Sequence, residues 1–301
     1  MPAPRRQKAP AVFQPVVLIP NAELTDLDRL AIARTYDTFQ IVKLTMDTAR
    51  SRQTRIGPSE FGDPCAKCLA RKLAESSKIE GDNWKAQIGT FGHAGLEQHY
   101  LDTFPWMYDV SWLENEDAPG GWERIIEVKP DLVATDEQPL YHLERRVKVG
   151  EYGSRTPRVL DGSCDMFEQG ATYGIVRDWK FQGESSLKKS GSGKIGQTYH
   201  TQMNGYGKGY EDLGFNVTHV QLFALPRDDE IDAAKPVLMR YDRQMAVDAL
   251  ERLTALVDAA DVMRDLGLGW ESIIDAQAGA PGCWDCPRFD HADERDFVAA
   301  L

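Results

Sequence analysis

The sequence predicts a mixed α/β protein, a central mixed β-sheet flanked by helices. Three observations predict it. Residues from about 106 to 180 carry short β-branched or alternating runs, the pattern of strands. The segments on either side carry apolar residues at helical spacing. Two C-x-x-C pairs, Cys65/Cys68 and Cys283/Cys286, bracket that region, so one metal site could join the N- and C-terminal parts. The 301 residues suffice for one large domain or two small ones. With no internal repeat, coiled coil or clear linker, the simplest division is a flexible segment over 1–24 and a single domain over 25–301.

The opening "MPAPRRQKAPAVFQPVVLIP" has positive charge but lacks a continuous apolar core, so it reads as a lead-in and not as a signal peptide. "TDLDRLAIARTYDTFQIVKLTMDTARS" begins with Thr25 as an N-cap, followed by Leu27, Leu30, Ile32 and Ala33, and predicts a helix. "IGPSEFGDPCAKCLARKLAES" is a Gly/Pro loop that turns into a short helix at the first cysteine pair. "NWKAQIGTFGHAGLEQHYLDTF" places Trp84, Ile88, Phe91, Leu96 and Tyr100 at helical spacing despite its glycines. "RIIEVKPDLVA", "LYHLERRVKV", "RVLDGSCDMFE" and "YGIVRDWKF" predict consecutive antiparallel strands. "QGESSLKKSGSGKIG" predicts a polar loop. "QTYHTQMNGYGKGYEDLG" predicts a helix ending near Gly214. "NVTHVQLFALP" and "KPVLMRY" predict two more strands. "RQMAVDALERLTALVDAADVMRDLG" is the clearest amphipathic helix of the chain.

Hydrophobic residues make up 42% and charged residues 27%, ordinary for a soluble globular protein, and no apolar run is long enough to span a membrane. A cytoplasmic protein without a membrane partner is expected. The net charge of −12 argues against coating nucleic acid by bulk electrostatics. An enzyme with a local basic strip and metal-neutralised acids remains compatible with it. The five cysteines, in a reducing compartment, favour metal ligation over disulfides. Cys164 has no sequence partner and reads as a small core residue.

The chemistry concentrates in "GSCDMFEQGATYGIVRDWKFQ". If its two strands pair, Asp165 and Asp178 meet at one end of the sheet. Two converging carboxylates repel unless a cation sits between them, and hard oxygens suit Mg²⁺ or Mn²⁺. In Asp178-Trp179-Lys180, the first and third residues share a strand face, so Lys180 projects beside Asp178 and Trp179 turns to the core. A lysine there can orient or deprotonate a water, or stabilise developing negative charge on a phosphate. Taken alone, the pattern also fits a solvated hairpin with a surface ion pair.

Gly162-x-x-Asp165, Asp178-x-Lys180 and Gln202-x-x-x-Tyr206, preceded by Gly89-Thr-Phe-Gly-His93, resemble the motifs of the PD-(D/E)XK nuclease superfamily, in its RecB-type branch. That branch includes CRISPR-associated, AddB-type and phage exonucleases. The order of elements matches over residues 57 to 290. The middle acid is Asp178, where glutamate is common in the superfamily. Pro130-Asp131 is a decoy, since no E-x-K follows at a suitable distance.

The resemblance implies a restriction-endonuclease-like core and a metal-dependent DNA exonuclease acting on single-stranded ends in recombination, repair or phage DNA processing. The alternative it leaves is a DNA-end binding or CRISPR-adaptation-type subunit with little turnover. A homo-oligomer or a recombination partner protein fits either. It implies that His93 completes the metal shell with Asp165, Asp178 and the Trp179 carbonyl, and that Gln202 and Tyr206 position Lys180 and the DNA end. His93, Gly89 and Glu97 share one helical face, and Gly89 would permit close approach. Lys188, Lys189 and Lys194, in Gly/Ser context, are candidate phosphate contacts. Spacing alone suits a four-thiolate Zn²⁺ site on Cys65, Cys68, Cys283 and Cys286. The resemblance implies instead a [4Fe-4S] cluster, although the branch usually has one cysteine upstream and three downstream, against two and two here.

Overall fold

The structure is a computed structural model that describes residues 25–26, 56–76, 78, 84–115 and 121–290. The helix expected from Thr25 lies, beyond Thr25 and the helical Asp26, outside the described residues, as does the boundary drawn at residue 24. The described residues from Ile56 on form one unit. In chain order its elements begin with helices α1 (Ala66–Leu73) and α2 (Trp84–Thr103). Strands β1 (Tyr108–Glu114), β2 (Trp122–Val128), β3 (Leu140–Tyr152), β4 (Arg158–Gln169) and β5 (Gly174–Gln182) follow. Then come α3 (Glu184–Gly191), α4 (Gln197–Asp212), β6 (His219–Pro226), β7 (Lys235–Arg240) and α5 (Arg243–Asp265). Short helices α6 (Trp270–Asp275) and α7 (Cys286–Asp290) close the described chain.

The central sheet has five strands in the order β3-β4-β5-β6-β7. It is mixed as expected: β5 and β6 are parallel, and every other neighbouring pair is antiparallel. Parallel neighbours need a crossover, and α3 and α4 supply it. The expected strand at "RIIEV" forms, but outside this sheet. It is β2, which among the described residues pairs with β1 alone, in a separate hairpin. The expected loop after β5 is largely helical. Leu187 is buried, and Glu184 and Lys188 pair at 2.6 Å one helical turn apart, which stabilises α3. Helix α5 starts where expected, with the Asp242 carboxylate accepting from the Gln244 N–H at 3.0 Å.

Two apolar clusters form the core. One joins Val147, Leu160, Val176, Val220 and Leu222 of the sheet to Met203 and Tyr210 of α4 and Leu250 and Leu253 of α5. Helix α4 lies close on β3 because residue 209 is glycine; a Cβ there would meet the Lys148 carbonyl at 3.0 Å. The second cluster joins Leu143, Met166, Trp179 and Leu225 to Met107 and Tyr108, with Leu96 and Tyr100 of α2 packed against it. Trp179 is thus a core residue, as expected, and stacks on Tyr100. No described helix is long and apolar enough to cross a membrane.

The two clusters expose an irregularity. In a regular strand, residues two or four apart share a face. Leu143 and Val147 are four apart on β3 yet belong to opposite clusters. Cys164 and Met166 are two apart on β4 and also belong to opposite clusters. On both strands the side-chain alternation changes face at neighbouring points, which carry Glu144 and Asp165, while the pairing register runs on across them.

Candidate active site

Strands β4 and β5 pair over four residues, from Gln169 opposite Gly174 to Met166 opposite Arg177. There the ladder stops, and the next residue on each strand is an aspartate, Asp165 and Asp178. The Trp179 N–H donates to Asp165 Oδ2 at 2.7 Å. The ladder thus ends at the two aspartates, and the Trp179 backbone donor is satisfied by Asp165 instead of by a strand partner.

Glu144 joins them from β3. Its neighbours Leu143 and Arg145 pair with Met166 and Cys164, which sets Glu144 alongside Asp165. Its φ is 45°, a left-handed conformation for a residue with a Cβ. Such a conformation costs about 1–2 kcal/mol, and strain of this kind gathers at functional sites. One ligand atom each from His93, Glu144 and Asp165 falls within 4.8 Å of the others.

His93 reaches the site from α2. Its Nδ1 stands 3.3 Å from Asp165 Oδ1, so the two Asp165 oxygens are engaged by His93 and by the Trp179 backbone. The imidazole is set by Phe181 and Trp179, at ring-centroid distances of 5.9 and 6.2 Å. The glycine that permits this approach is Gly92, where a Cβ would lie 2.2 Å from the Phe181 ring. Gly89, expected to take a close contact, faces open space. Glu97, on the same helical face, pairs with Arg124.

Asp178 is 1% exposed. Lys180 Nζ lies 2.8 Å from its Oδ1 and 2.7 Å from its Oδ2, and only Oδ1 has the ammonium aligned on it as a hydrogen bond. The Lys180 ammonium also stands 5.8 Å from the centroid of the Tyr199 ring. Burial and the charge of Asp165 push the Asp178 carboxyl up to about 6 against the pull of Lys180. Burial works against ionising Asp165 as well, but Lys180, His93 and the Trp179 N–H outweigh it and hold Asp165 below the ordinary carboxylate range. Burial would also lower His93 and Lys180; Asp165 overcomes it for His93, and Asp178 with Asp165 for Lys180, and both are raised.

This arrangement fits a divalent cation. Two buried carboxylates repel, Asp178 Oδ2 has no aligned donor, and a third carboxylate and an imidazole converge beside them. Oxygen donors with one imidazole suit Mn²⁺ or Mg²⁺.

The remaining expected residues are placed as follows. Gln202 and Tyr206 are buried on α4, 4% and 5% exposed, one helical turn apart. Burial and the charges of Cys164, Asp178 and Asp165 raise the Tyr206 phenol far enough to keep it protonated. Gly162 has a packing reason: a Cβ would meet the Pro58 ring at 2.8 Å and stand 3.6 Å from the Tyr206 hydroxyl. Lys188 and Lys189 are exposed on α3, Lys188 paired with Glu184, and Lys194 is exposed in the turn that follows. Asp131 lies exposed in the loop after β2, outside the site. Cys164 is fully buried, as expected of a core residue. Cys65, Cys68, Cys283 and Cys286 come together, with their sulfurs within 4.8 Å of one another, and could hold a metal ion. Sequence reasoning missed Glu144 and Tyr199. The signal for Tyr199 was its place three residues before Gln202, one helical turn away.

No family model and no curated protein matches the chain. Among solved structures it is similar to that of SSO0001, at 12% identity and a TM-score of 0.43, over 72% of this chain and 88% of that one. It is also similar to an alkaline exonuclease (LHK-Exo) from Laribacter hongkongensis, at 12% identity and a TM-score of 0.37, over 73% and 97%. The same enzyme in complex with dAMP aligns at 13% identity and 0.37, over 67% and 83%. These likenesses are too distant to assign an activity.

Proposed function

We propose that the protein is a metal-dependent DNA exonuclease that hydrolyses phosphodiester bonds from single-stranded ends. The observation that carries the reading is the parted β4–β5 ladder, with Asp165 and Asp178 at the gap, Glu144 and His93 beside them, and Lys180 fixed against Asp178. Asp165, Asp178, Glu144 and His93 would hold Mg²⁺ or Mn²⁺. When bound, such an ion polarises a phosphoryl oxygen and makes a nucleophile of water at neutral pH.

The chain's own groups divide the rest of the work. Asp165 stays ionised, and its bonds to the Trp179 N–H and to His93 fix its orientation. Lys180 is held protonated by the two aspartates, so it acts as a cation and hydrogen-bond donor toward phosphate or water, and not as a base. Tyr206 and Gln202, protonated and neutral, support the floor of the site from α4. Lys188, Lys189 and Lys194 are the proposed phosphate contacts, supplying the local positive charge that a chain of net charge −12 needs.

The test is end-labelled linear DNA beside circular DNA, single- and double-stranded, with Mg²⁺, Mn²⁺ or EDTA. The reading expects mononucleotide or short products from linear single strands only, and none in EDTA. Cleavage of circles would make it an endonuclease. Binding to ends without products would make it an end-binding subunit.

A further inference from the structure

The resemblance to RecB-type nucleases implies a [4Fe-4S] cluster on Cys65, Cys68, Cys283 and Cys286, and the sulfur positions test that fit. Cys65 Sγ lies 3.5 Å from Cys286 Sγ. Cys68 Sγ lies 3.5 Å from both Cys283 Sγ and Cys286 Sγ. In a cubane each thiolate binds its own iron at a separate corner, which holds the sulfurs about 6 Å apart. Four thiolates each about 2.3 Å from one tetrahedral ion are about 3.8 Å apart. The sulfurs here, all within 4.8 Å of one another, leave no room for an inorganic core between them. The residues present do not fit the cluster.

We infer that the four cysteines hold one tetrahedral Zn²⁺ ion, independently of the catalytic reading above. The ligands come as two C-x-x-C units, each opening a helix: Cys65 precedes α1, and Cys286 begins α7. The surroundings are built to hold thiolates. The Ala280 N–H, from the second unit's loop, donates to Cys65 Sγ at 3.4 Å, and the Cys65 N–H is fixed by Asp63 at 2.8 Å. The buried Arg71 guanidinium donates to the Cys286 carbonyl at 3.0 Å, tying α1 to the second unit. Donors aimed at ligand atoms and ligand backbones fix a metal's first shell and temper its charge. With four protein ligands the ion has no open position, so it serves as a structural clasp between segments 215 residues apart and not as a redox centre.

The full-length protein, purified without oxygen from cells supplied with both iron and zinc, decides this by metal and acid-labile sulfide analysis. One zinc per chain, no sulfide and no visible absorption are expected. Exchange of the bound ion for Co²⁺ should give the intense visible bands of a tetrahedral thiolate site. About four irons with matching sulfide and a brown colour would overturn the inference, as would a folded chain with no bound metal. A Cys283→Ser chain that fails to fold leaves these readings on the native protein intact. Cys283→His, which keeps a zinc-binding ligand set, should retain one zinc and shift the Co²⁺ bands to higher energy.

Discussion

Asp178→Asn should make the metal-free protein more stable while abolishing cleavage. The Asp178 carboxyl is 1% exposed, and burial with the charge of Asp165 raises it from the ordinary 3.8 to about 6. A shift of that size corresponds to about 3 kcal/mol at 1.36 kcal/mol per unit. Because the folded pKa is raised, the folded state binds more protons than the unfolded chain between pH 3.8 and 6. Stability is therefore greatest below the unfolded value and falls as pH rises through the folded one. At pH 8 the ionised, buried Asp178 costs about 3 kcal/mol, and asparagine removes that cost. For a unit of this size the gain is about 6–12 °C in Tm. It should fall to about half at pH 5 and to under about 1 kcal/mol near pH 4. The assay is thermal or urea unfolding of both proteins in EDTA across that range. Saturating Mn²⁺ should then raise the Tm of the wild type by more than that of the variant, since only the wild type offers the full carboxylate set. A variant less stable than wild type at pH 8 in EDTA, or a gain that does not change with pH, would refute the reasoning.

Glu144→Gly removes a proposed ligand and relieves a left-handed φ, so stability should stay within about 1 kcal/mol while cleavage falls on the order of 10²-fold or more; a large loss of stability, read by urea unfolding, would assign Glu144 a structural role instead. Lys180→Gln should reduce the cleavage rate on the order of 10²–10³-fold yet leave the Mn²⁺-induced rise in Tm, because the ligands remain; loss of that rise would mean that Lys180 serves only to hold the acids. Cys283→Ser should lower the unfolding free energy by several kcal/mol, read as a lower urea midpoint, since the metal's binding energy is part of the folding energy; an unchanged midpoint would contradict a structural clasp.

Much of the candidate site was legible in the sequence because its residues sit at short, fixed spacings. Asp178 and Lys180 share a strand face, with Trp179 in the core behind them. His93 and the cysteine pairs were found by local pattern and by order along the chain. Glu144 was not legible. "LYHLERRVKV" reads as an ordinary alternating strand, and nothing in it marks a glutamate at positive φ or a side-chain slip shared with the neighbouring strand. That slip is a tertiary fact, set by two cores that claim Leu143 and Val147 on opposite faces. The close contact of α2 was assigned to Gly89 when Gly92 makes it, because only the sheet decides which glycine meets Phe181. Helix α3 was hidden by its glycines and serines, although Glu184, Leu187 and Lys188 carried the helical spacing. The isolation of β2 in its own hairpin depends on β1, whose "YDVSWLE" alternation passed unread.

The central claim is that this acidic gap hydrolyses DNA with a bound divalent ion. Its most direct test is the cleavage rate of a 5′-labelled linear single strand as Mn²⁺ is titrated into metal-stripped wild type and Lys180→Gln protein. Saturable Mn²⁺-dependent cleavage by the wild type, with the variant binding Mn²⁺ but barely turning over, is the predicted result. Cleavage that persists in EDTA, or equal rates for the two proteins, would contradict it.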